Sequence, residues 1–470
     1  MDTLSAARVQ MEVSLGFHMI FAAVGMAMPL MMIIAEGRWL RTGDTEALRL
    51  AKTWAKVTAL LFAIGAVSGT ALSFELGLLW PRFMEFAGPM IGLAFALEGY
   101  AFFIEAIFLG LYLYGWNRLS PFAHWLCGWP VALAGAASGI LVVSANAWMQ
   151  SPSGFRLGPQ GQAVDVDPLA ALFNPAWGPM ALHSTLATYQ AVGFAAAGVY
   201  AWALLRDRHP SHRAYNRLAV VIAMILGVVS AVLQPFAGDI LARRAHEAQP
   251  AKLAALEGQF QTERGAPLRI GGLPDVQAGE TRWAIEIPRM LSILATHDPD
   301  GEVLGLEAFP RDEWPNTLIT HLAFQVMVGA GLAMIGVAVW YWWAWWRSRR
   351  RPGALGARDW ASRRWLLCAL VLASPLGFIA LEAGWIVTEV GRQPWIIYDV
   401  MRTAEAVTPA AEVGVSLAGF VLLYTGLMVT LVVLLRRLAR HGALPEEPEY
   451  DEPPVLPHAV PTGQVRGRLS

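Results

Sequence analysis

Long apolar runs recur along the 470-residue chain and alternate with short segments that carry most of its charged side chains. At 1.5 Å of rise per residue, about 20 apolar residues in a helix are enough to cross about 30 Å of hydrocarbon. Runs of this length predict nine membrane-spanning helices, at 13–35, 54–79, 89–115, 122–148, 180–205, 216–236, 319–346, 364–389 and 412–436. The first run is too long for a secretory signal, so we expect it to remain a helix. The pattern therefore predicts an all-α integral membrane protein with nine transmembrane helices.

One connection, residues 237–318 between the sixth and seventh predicted spans, is much longer than the others. After Pro250, the side chains of Leu253, Leu256 and Phe260 are spaced to share one helical face, which favours an ordered loop with a function. The chain is thus divided into spans one to six over 1–236, this loop, and spans seven to nine over 319–440. The acidic, Pro-rich tail over 441–470 is predicted to be disordered.

Basic residues are concentrated in alternate loops, and this predicts the orientation in the membrane. The basic loops contain Arg38, Arg41, Arg49, Lys52, Lys56, Arg206, Arg208, Arg213, Arg217, the arginines from Arg347 to Arg364, Arg436, Arg437 and Arg440. Because positive loops stay in the cytoplasm, the amino terminus is expected outside and the carboxyl terminus inside, as an odd number of spans requires. The long loop is then on the outer side.

Composition narrows the function. Hydrophobic residues make up 56% of the chain and charged residues 15%, with a mean hydropathy of +0.44, which excludes a water-soluble protein. Lys and Arg number 35 against 36 Asp and Glu, so the basic excess needed for nucleic-acid binding is absent. The two cysteines, Cys127 and Cys368, lie far apart in apolar stretches, which excludes a CxxC metal site and a disulfide framework.

Several polar side chains fall inside the predicted spans, where an ionisable group costs about 2.5–3.5 kcal/mol on insertion scales. They are His18, Glu98, Glu105, His183 and Glu389, to which we add the potential ligand Met327. From the predicted orientation, His18, His183, Met327 and Glu389 all lie within about two helical turns of the outer surface. Four haem-type ligands therefore share one depth.

Each potential ligand also has an ordinary interpretation. Met327 alone is typical of helix packing, but His183 supplies a partner, and a His–Met pair is the axial set of a low-spin electron-transfer haem. His18 fits an interfacial or core histidine as well as a ligand, and Glu389 could extend from its helix end towards water. His124, at a predicted cytoplasmic helix start, is interpreted as an ordinary helix-end residue.

Glu98 and Glu105 form a separate pattern within the third span. They are seven residues apart, two helical turns, so both side chains point the same way. Two carboxyl groups on one buried stripe favour a proton path.

The chain resembles subunit I of the cytochrome bd-type quinol oxidases over nearly all of residues 1–440. The motifs that carry this resemblance, in order, are Gly69-Thr70 with Phe74-Glu75 and Trp80; Leu97-Glu98-Gly99 through Glu105; Gly115-Trp116; Asn146 through Pro152; His183; Gln249 through Lys252 with Glu257; Phe324 through Met327; Glu382 through Trp385 with Glu389; and Gly391 through Trp395.

The resemblance implies three haems. His183 and Met327 would be the axial ligands of low-spin haem b558. His18 and Glu389 would hold the two high-spin haems, b595 and d, in an assignment that varies within the family, and a further haem b replaces haem d in some relatives. Glu98 would lie beside the high-spin haems, and Glu105 would bring protons from the cytoplasm.

Further roles follow from the same resemblance. Lys252 and Glu257, in the outer loop that the family calls the Q-loop, would contact quinol, which could be ubiquinol or menaquinol. Trp385 would lie between haems, and Arg392 and Trp395 near a haem edge or propionate.

The length of the loop indicates the short Q-loop subtype. Gln325 departs from the family, because many relatives carry Arg there. The implied partners are subunit II, a small single-helix subunit, quinol, oxygen and lipid, and the implied location is the bacterial cytoplasmic membrane.

The implied activity is a quinol:oxygen oxidoreductase that separates charge without a pump, because it oxidises quinol near the outer surface and takes protons for oxygen reduction from inside. One alternative is a proton-coupled secondary transporter, which predicts inverted repeats and broken helices that we do not find. Another is a haem b subunit that only transfers electrons, which would leave His18 and Glu389 without a role.

Overall fold

The structure, a computed structural model, describes residues 2–207, 209–350 and 359–440. The predicted disordered tail lies outside the described residues. The described chain is mostly helical, as predicted.

Fourteen α-helices are present within the described residues. They are α1 Thr3–Thr42, α2 Thr45–Leu79, α3 Pro81–Tyr114, α4 Pro121–Gln150, α5 Pro168–Leu172, α6 Trp177–Arg206, α7 Pro210–Ala248, α8 Pro250–Glu257, α9 Met290–Thr296, α10 Thr317–Arg349, α11 Arg364–Ala373, α12 Leu376–Val390, α13 Thr403–Ala406 and α14 Val413–Arg440. Their starts follow local chemistry. Asp2, Asp44 and Ser120 accept backbone hydrogen bonds as N-caps, and proline occupies the first turn of α3, α4, α7 and α8.

Eight segments of the described chain are long and apolar enough to cross a membrane. They coincide with eight of the nine predicted spans, and α11 and α12 count together as one segment, Arg364–Val390, interrupted at Ser374 and Pro375. The predicted span at 180–205 corresponds to α6, which is 30 residues long but is not among the eight. The nine-span count therefore stays a prediction.

The hydropathy of α6 is lower than that of the eight segments. This fits its position inside the bundle, where it packs against α7, α11, α12, α1 and α4. Small residues bring the backbones close together at these contacts. A Cβ atom added to Gly193 would lie 2.7 Å from the backbone nitrogen of Gly227 on α7, and one added to Gly377 on α12 would lie 2.4 Å from Cα of Ala191. A helix enclosed by protein can use glycine, alanine and polar side chains where a lipid-facing helix needs larger apolar ones.

The long loop covers one end of the bundle. The side-chain amide of Gln249 donates to the carbonyl oxygen of Gln150 at the end of α4, and the ammonium of Lys252 donates to that of Thr388 near the end of α12. We call this end of the bundle the loop face, and the end that holds the connections 43–44 and 115–120 the opposite face.

Within this loop the chain forms α8, α9, three short antiparallel strand pairs and two short 3₁₀ helices, Leu306–Ala308 and Arg311–Glu313. The pairs are Glu263–Arg264 with Glu302–Val303, Leu268–Ile270 with Ile285–Ile287, and Leu273–Asp275 with Glu280–Arg282. Two further pairs lie elsewhere on the loop face: Arg156–Leu157 with Ala163–Val164, and Trp395–Ile397 with Met401–Arg402.

The prediction of one helical face from Leu253 to Phe260 is wrong in one detail, the point at which the helix ends. Helix α8 ends at Glu257, because Gly258 adopts a left-handed conformation with φ of 64° and caps it. Leu253, Leu256 and Phe260 are nevertheless all buried, with Phe260 packed against Leu306 and Trp314 after the turn.

The close contact between α6 and α12 generates a stability prediction. Gly377→Ala should lower the thermal unfolding temperature of the purified protein, because the new methyl group would meet backbone atoms of Ala191 that cannot move aside. Overpacking of this kind costs about 1–3 kcal/mol. The matched control is Gly336→Ala on α10, where an added Cβ meets nothing within 4 Å and alanine is the better helix former. Equal unfolding temperatures for the two variants would contradict the prediction.

Candidate functional site

His18 lies half-buried on α1, against α2. Its Nδ1 atom is 3.0 Å from the hydroxyl oxygen of Ser68, which itself donates to the carbonyl oxygen of Gly65 at 3.1 Å. Since the hydroxyl proton is used there, Ser68 accepts a hydrogen bond from Nδ1, and Nε2 keeps its lone pair. A Cβ atom added to Gly69 would lie 2.8 Å from Cε1 of His18, so only glycine leaves room beside the ring.

His183 and Met327 lie on α6 and α10, which both pack against α12. The side-chain amide of Gln234 on α7 lies 3.3 Å from the ring nitrogens of His183 and 3.2 Å from its carbonyl oxygen. Gly238 faces the ring, where a Cβ atom would lie 3.5 Å from Cε1. Met327 is placed similarly, because a Cβ atom at Gly384 on α12 would lie 3.0 Å from its sulfur.

Glu389, near the end of α12, has a partner at each carboxylate oxygen. Asn146 on α4 donates to Oε1 at 2.5 Å, and the buried guanidinium of Arg392 donates to Oε2 at 2.6 Å. Each oxygen retains a second lone pair, so these contacts orient the carboxylate and leave it able to bind a further partner.

The two aromatic residues assigned from the resemblance lie close by. Arg392 also donates to the carbonyl oxygen of Trp395, and its Nη1 atom is buried with no hydrogen-bond partner among the described residues. Trp385, one turn before Glu389, is partly buried against the main apolar core.

Lys252 and Glu257 are buried at the two ends of α8, so they are not charged residues of an ordinary solvated helix face. The Lys252 ammonium donates to the side-chain oxygen of Gln150 at 3.1 Å and to the carbonyl oxygen of Thr388 at 3.2 Å. Burial lowers the pKa of Lys252 from 10.5 to about 7. Burial likewise raises the pKa of Glu257 from 4.5 to about 8, although the nearby Arg269 charge opposes the shift.

A hydrogen-bond chain joins the long loop to Glu389. Lys252 donates to Gln150, the Gln150 amide lies 3.5 Å from the side-chain oxygen of Asn146, and Asn146 donates to Glu389. Lys252, assigned to quinol, and Glu389, assigned to a haem, are therefore linked by two amide side chains on α4.

Glu98 and Glu105 lie apart from this chain, on the seam between α3 and α4. Ser138 on α4 donates to Glu98 at 3.1 Å. Glu105 is buried, and its Oε1 atom has no partner among the described residues. Glycines surround it, because a Cβ atom at Gly135 would lie 3.2 Å from both carboxylate oxygens and one at Gly25 would lie 3.7 Å from Oε1.

Gln325, the departure from the family pattern, has a structural role here. It donates to the carbonyl oxygen of Arg269 and accepts from the backbone amide of Gly271, each at 2.9 Å. On the same helix, His321 is fully buried between the carbonyl oxygens of Leu256 and Gly271, at 2.9 and 3.0 Å. Both side chains thus hold the long loop against the start of α10.

The donors at the loop face fit haem groups. The described residues contain no cluster of three or more His, Cys, Asp or Glu that could hold a metal ion. The ligand candidates are instead single side chains of the types that bind haem iron, and three of them pack against a glycine. Arg392 adds a buried donor, Nη1, which has no partner among the described residues and from which a haem propionate would accept a hydrogen bond.

Sequence reasoning also missed the carboxyl group of Glu382. Glu382 on α12 lies against α1, where a Cβ atom at Gly16 would be 3.2 Å from Oε2, and its Oε1 atom is buried and unpaired within the described residues. It appears in one of the motifs quoted above, and its place inside a predicted span was a signal that could have identified it. Gln150 and Asn146 carried no such signal, because their importance depends on what they connect.

Comparisons with known proteins agree on one family. The family model described as cytochrome bd terminal oxidase subunit I matches residues 6–443. A Bacillus subtilis protein named putative cytochrome bd menaquinol oxidase subunit I is 38% identical over 94% of this chain and 98% of its own length. Cytochrome bd-II ubiquinol oxidase subunit 1 of Escherichia coli is 28% identical over 94% of this chain and 97% of its own.

Among solved structures, a chain of the bd oxidase from Geobacillus thermodenitrificans superimposes with a TM-score of 0.86. It is 38% identical in sequence, and the match covers 94% of this chain and 99% of that one. The resemblance inferred from the motifs is confirmed.

Proposed function

The chain belongs to the cytochrome bd terminal oxidase subunit I family, and we propose that it is the haem-containing subunit of a terminal quinol oxidase. In this proposal quinol is oxidised at the loop face, and oxygen is reduced to water with protons taken from the opposite face. The loop face is then the outer side of the bacterial cytoplasmic membrane. Charge separates because the two half-reactions use protons on different sides, without a pump.

The observation that carries the proposal is the hydrogen-bond chain from Lys252 through Gln150 and Asn146 to Glu389. It joins the part of the loop assigned to quinol to the end of α12 assigned to a haem ligand. The transporter alternative gives no reason for such a connection and is at odds with the family. An electron-transfer subunit without oxygen chemistry would leave His18 and Glu389 unused.

Bound haems would carry electrons from quinol to oxygen and provide the iron at which oxygen is reduced. His183 and Met327 would hold haem b558. His18, with its Nε2 lone pair kept by the Ser68 contact, and Glu389 would hold the high-spin haems b595 and d, or a further haem b in place of d. Trp385 would lie between haems, and Arg392 and Trp395 beside a haem edge or propionate.

Quinol oxidation requires groups that bind the ring oxygens and accept two protons. Glu257, with a pKa of about 8, exchanges a proton near neutral pH, and its Oε2 atom is buried without a partner among the described residues. Lys252, with a pKa of about 7, can donate a hydrogen bond in either protonation state.

Glu98 and Glu105 would deliver protons to the site of oxygen reduction. Glu105 has a buried oxygen without a partner among the described residues, and Glu98 lies about 10 Å nearer the loop face along α3. Subunit II would cover part of the apolar surface, and a small single-helix subunit and lipid would cover the remainder.

The overall test is a reduced-minus-oxidised visible spectrum of the protein purified with subunit II, together with quinol-dependent oxygen consumption. We expect b-type haem bands and oxygen consumption, and a band near the red end of the spectrum if haem d is present. A preparation without haem bands would overturn the proposal.

His183→Ala and Met327→Leu should each remove the low-spin haem signal and abolish quinol oxidase activity, because a six-coordinate low-spin haem needs both axial ligands. The measurement is the reduced-minus-oxidised spectrum. Met334→Leu is the matched control, since Met334 is a buried methionine two turns further along α10 and packs in the main core. A normal low-spin spectrum in either test variant would refute the pairing.

Glu257→Gln should lower quinol turnover by about a hundred-fold or more, the usual scale for losing a general base. It should also change the pH profile. Since the pKa of Glu257 is about 8, its carboxyl is protonated below that pH and ionised above it, so turnover of the parent should rise with pH up to about 8. In the variant this rise should disappear while all haem bands remain. The control is Glu302→Gln, an exposed residue of the same loop, and identical profiles for all three proteins would contradict the prediction.

Glu105→Gln should slow oxygen reduction by about ten-fold or more while leaving the haem spectrum unchanged, because glutamine keeps the shape of the side chain but cannot carry a proton. Glu98→Ala should instead disturb the high-spin haem bands, since Glu98 lies nearer the loop face. Spectra, turnover and membrane potential in liposomes separate the two effects. Glu85→Gln, an exposed position on the same helix, is the control. Full turnover with a normal membrane potential in Glu105→Gln would remove this residue from the proton path.

A further inference from the structure

A buried polar cluster lies near the opposite face, where α1, α3 and α4 meet. Glu36 on α1, Tyr112 on α3 and His124 on α4 are at most 1% exposed. The Tyr112 hydroxyl donates to Oε2 of Glu36 at 2.7 Å, and Nδ1 of His124 lies 2.6 Å from Oε1 of Glu36. Nε2 of His124 lies 2.8 Å from the carbonyl oxygen of Tyr112. His124 thus lies in the first turn of α4, as expected, and both of its ring nitrogens have a partner.

The hydrogen bonds fix the number of protons in this cluster. A carbonyl oxygen can only accept, so Nε2 of His124 carries a hydrogen. The contact between Nδ1 and Oε1 then needs exactly one further hydrogen, either on an imidazolium facing a carboxylate or on a carboxyl group facing a neutral ring. Glu36 and His124 therefore share a single proton at a position closed to solvent.

The cluster continues the seam that holds the two glutamates. Tyr112 follows Glu105 by seven residues, the same two-turn interval that separates Glu105 from Glu98, so all three side chains lie on one face of α3. On α4, a Cβ atom at Gly128 would lie 3.1 Å from the Tyr112 ring, just as one at Gly135 would lie 3.2 Å from the Glu105 carboxylate. About 10 Å of helix rise separates Tyr112 from Glu105, a gap that one or two water molecules can span.

At its other end the cluster lies directly beneath the surface. The ring of Trp116 packs against His124 at a tilt of 34°, with 3.8 Å between centroids, and a Cβ atom at Gly115 would lie 3.2 Å from Cδ2 of His124. These two residues begin the connection 115–120, whose remaining members are exposed. A thin cover of loop thus separates the shared proton from solvent at the opposite face.

We propose that Glu36 and His124 form the proton-loading site of the route that continues through Tyr112 to Glu105 and Glu98. This inference rests on the proposed function, because it names where the protons for oxygen reduction enter. In one transfer the Glu36 carboxyl turns so that the shared proton faces Tyr112, and the Tyr112 hydroxyl takes it while passing its own proton to water leading to Glu105. A proton from the opposite face then reloads the pair, so the cluster returns to its starting state with one proton moved.

The competing role is a structural connection between three helices, and Glu36→Gln distinguishes the two. The new amide can donate to Nδ1 of a neutral His124 while its oxygen accepts from Tyr112, and Nε2 of His124 still donates to the carbonyl oxygen. Every hydrogen bond is retained, but the shared proton is lost. A structural role therefore predicts a normal enzyme, and a loading role predicts a slow one.

The experiment compares Glu36→Gln with the parent, purified with subunit II. We expect unchanged haem bands and an unchanged KM for quinol, a fall of about ten-fold or more in oxygen turnover, and a larger decrease in rate on transfer to heavy water. Trp125→Phe is the control, since it removes a hydrogen bond between α4 and the carbonyl oxygen of Ile33 on α1 at the same interface without affecting a proton carrier. It should behave as the parent.

Parental turnover and heavy-water effect in Glu36→Gln would overturn the inference. If that variant did not assemble with haem, Tyr112→Phe would decide, because it leaves the Glu36–His124 pair in place and removes only the hydroxyl link. Slow turnover in it would support the route, and parental turnover would overturn it. Failure of the proposed function is a separate result, seen as missing haem bands or missing quinol-dependent oxygen consumption in the unmodified protein.

Discussion

Polar side chains enclosed in an apolar bundle need partners, and this constraint organises the chain. A buried polar group that loses its hydrogen bond costs about 1–3 kcal/mol, and an unpaired charge costs more. The long helices pack through glycine and alanine, as at Gly193 and Gly377, and so enclose the polar side chains between closely spaced backbones. Within the described residues, some of these side chains have a hydrogen-bond partner at every polar atom, and others have a buried polar atom without one.

The two groups differ in whether they have room for a further partner. Glu36 and His124 have a partner at every polar side-chain atom, whereas Glu105 and Arg392 each keep a buried atom without one among the described residues. An unpaired buried atom in a native fold asks for a missing partner, such as water, a proton carrier or a bound group. The unpaired atom of Arg392 belongs to a residue assigned to haem, and that of Glu105 to a residue assigned to proton transfer.

The loop face and the opposite face are built differently for a physical reason. At the loop face, a folded segment of short strand pairs and helices is held by His321 and Gln325, so that α8 buries Lys252 and Glu257 against the bundle. Burial moves the pKa values of these two groups towards neutrality, to about 7 and about 8, where proton exchange with a bound substrate is easiest. At the opposite face the connections are short, and the polar cluster lies within the helices themselves.

The sequence by itself determined the membrane class, eight spans that the structure reproduces as long apolar helices, and the family, because hydrophobic length and local motifs are properties of contiguous residues. It also identified Glu98 and Glu105 as a pair, since a seven-residue spacing on one helix needs no tertiary information. It gave no indication of the partners of His124 or Glu382, whose surroundings are formed by residues far away in the chain. Only the tertiary structure decided that Glu36, Tyr112 and His124 share one proton and that Gln150 and Asn146 join Lys252 to Glu389, because a hydrogen bond depends on distances between helices that no local pattern encodes.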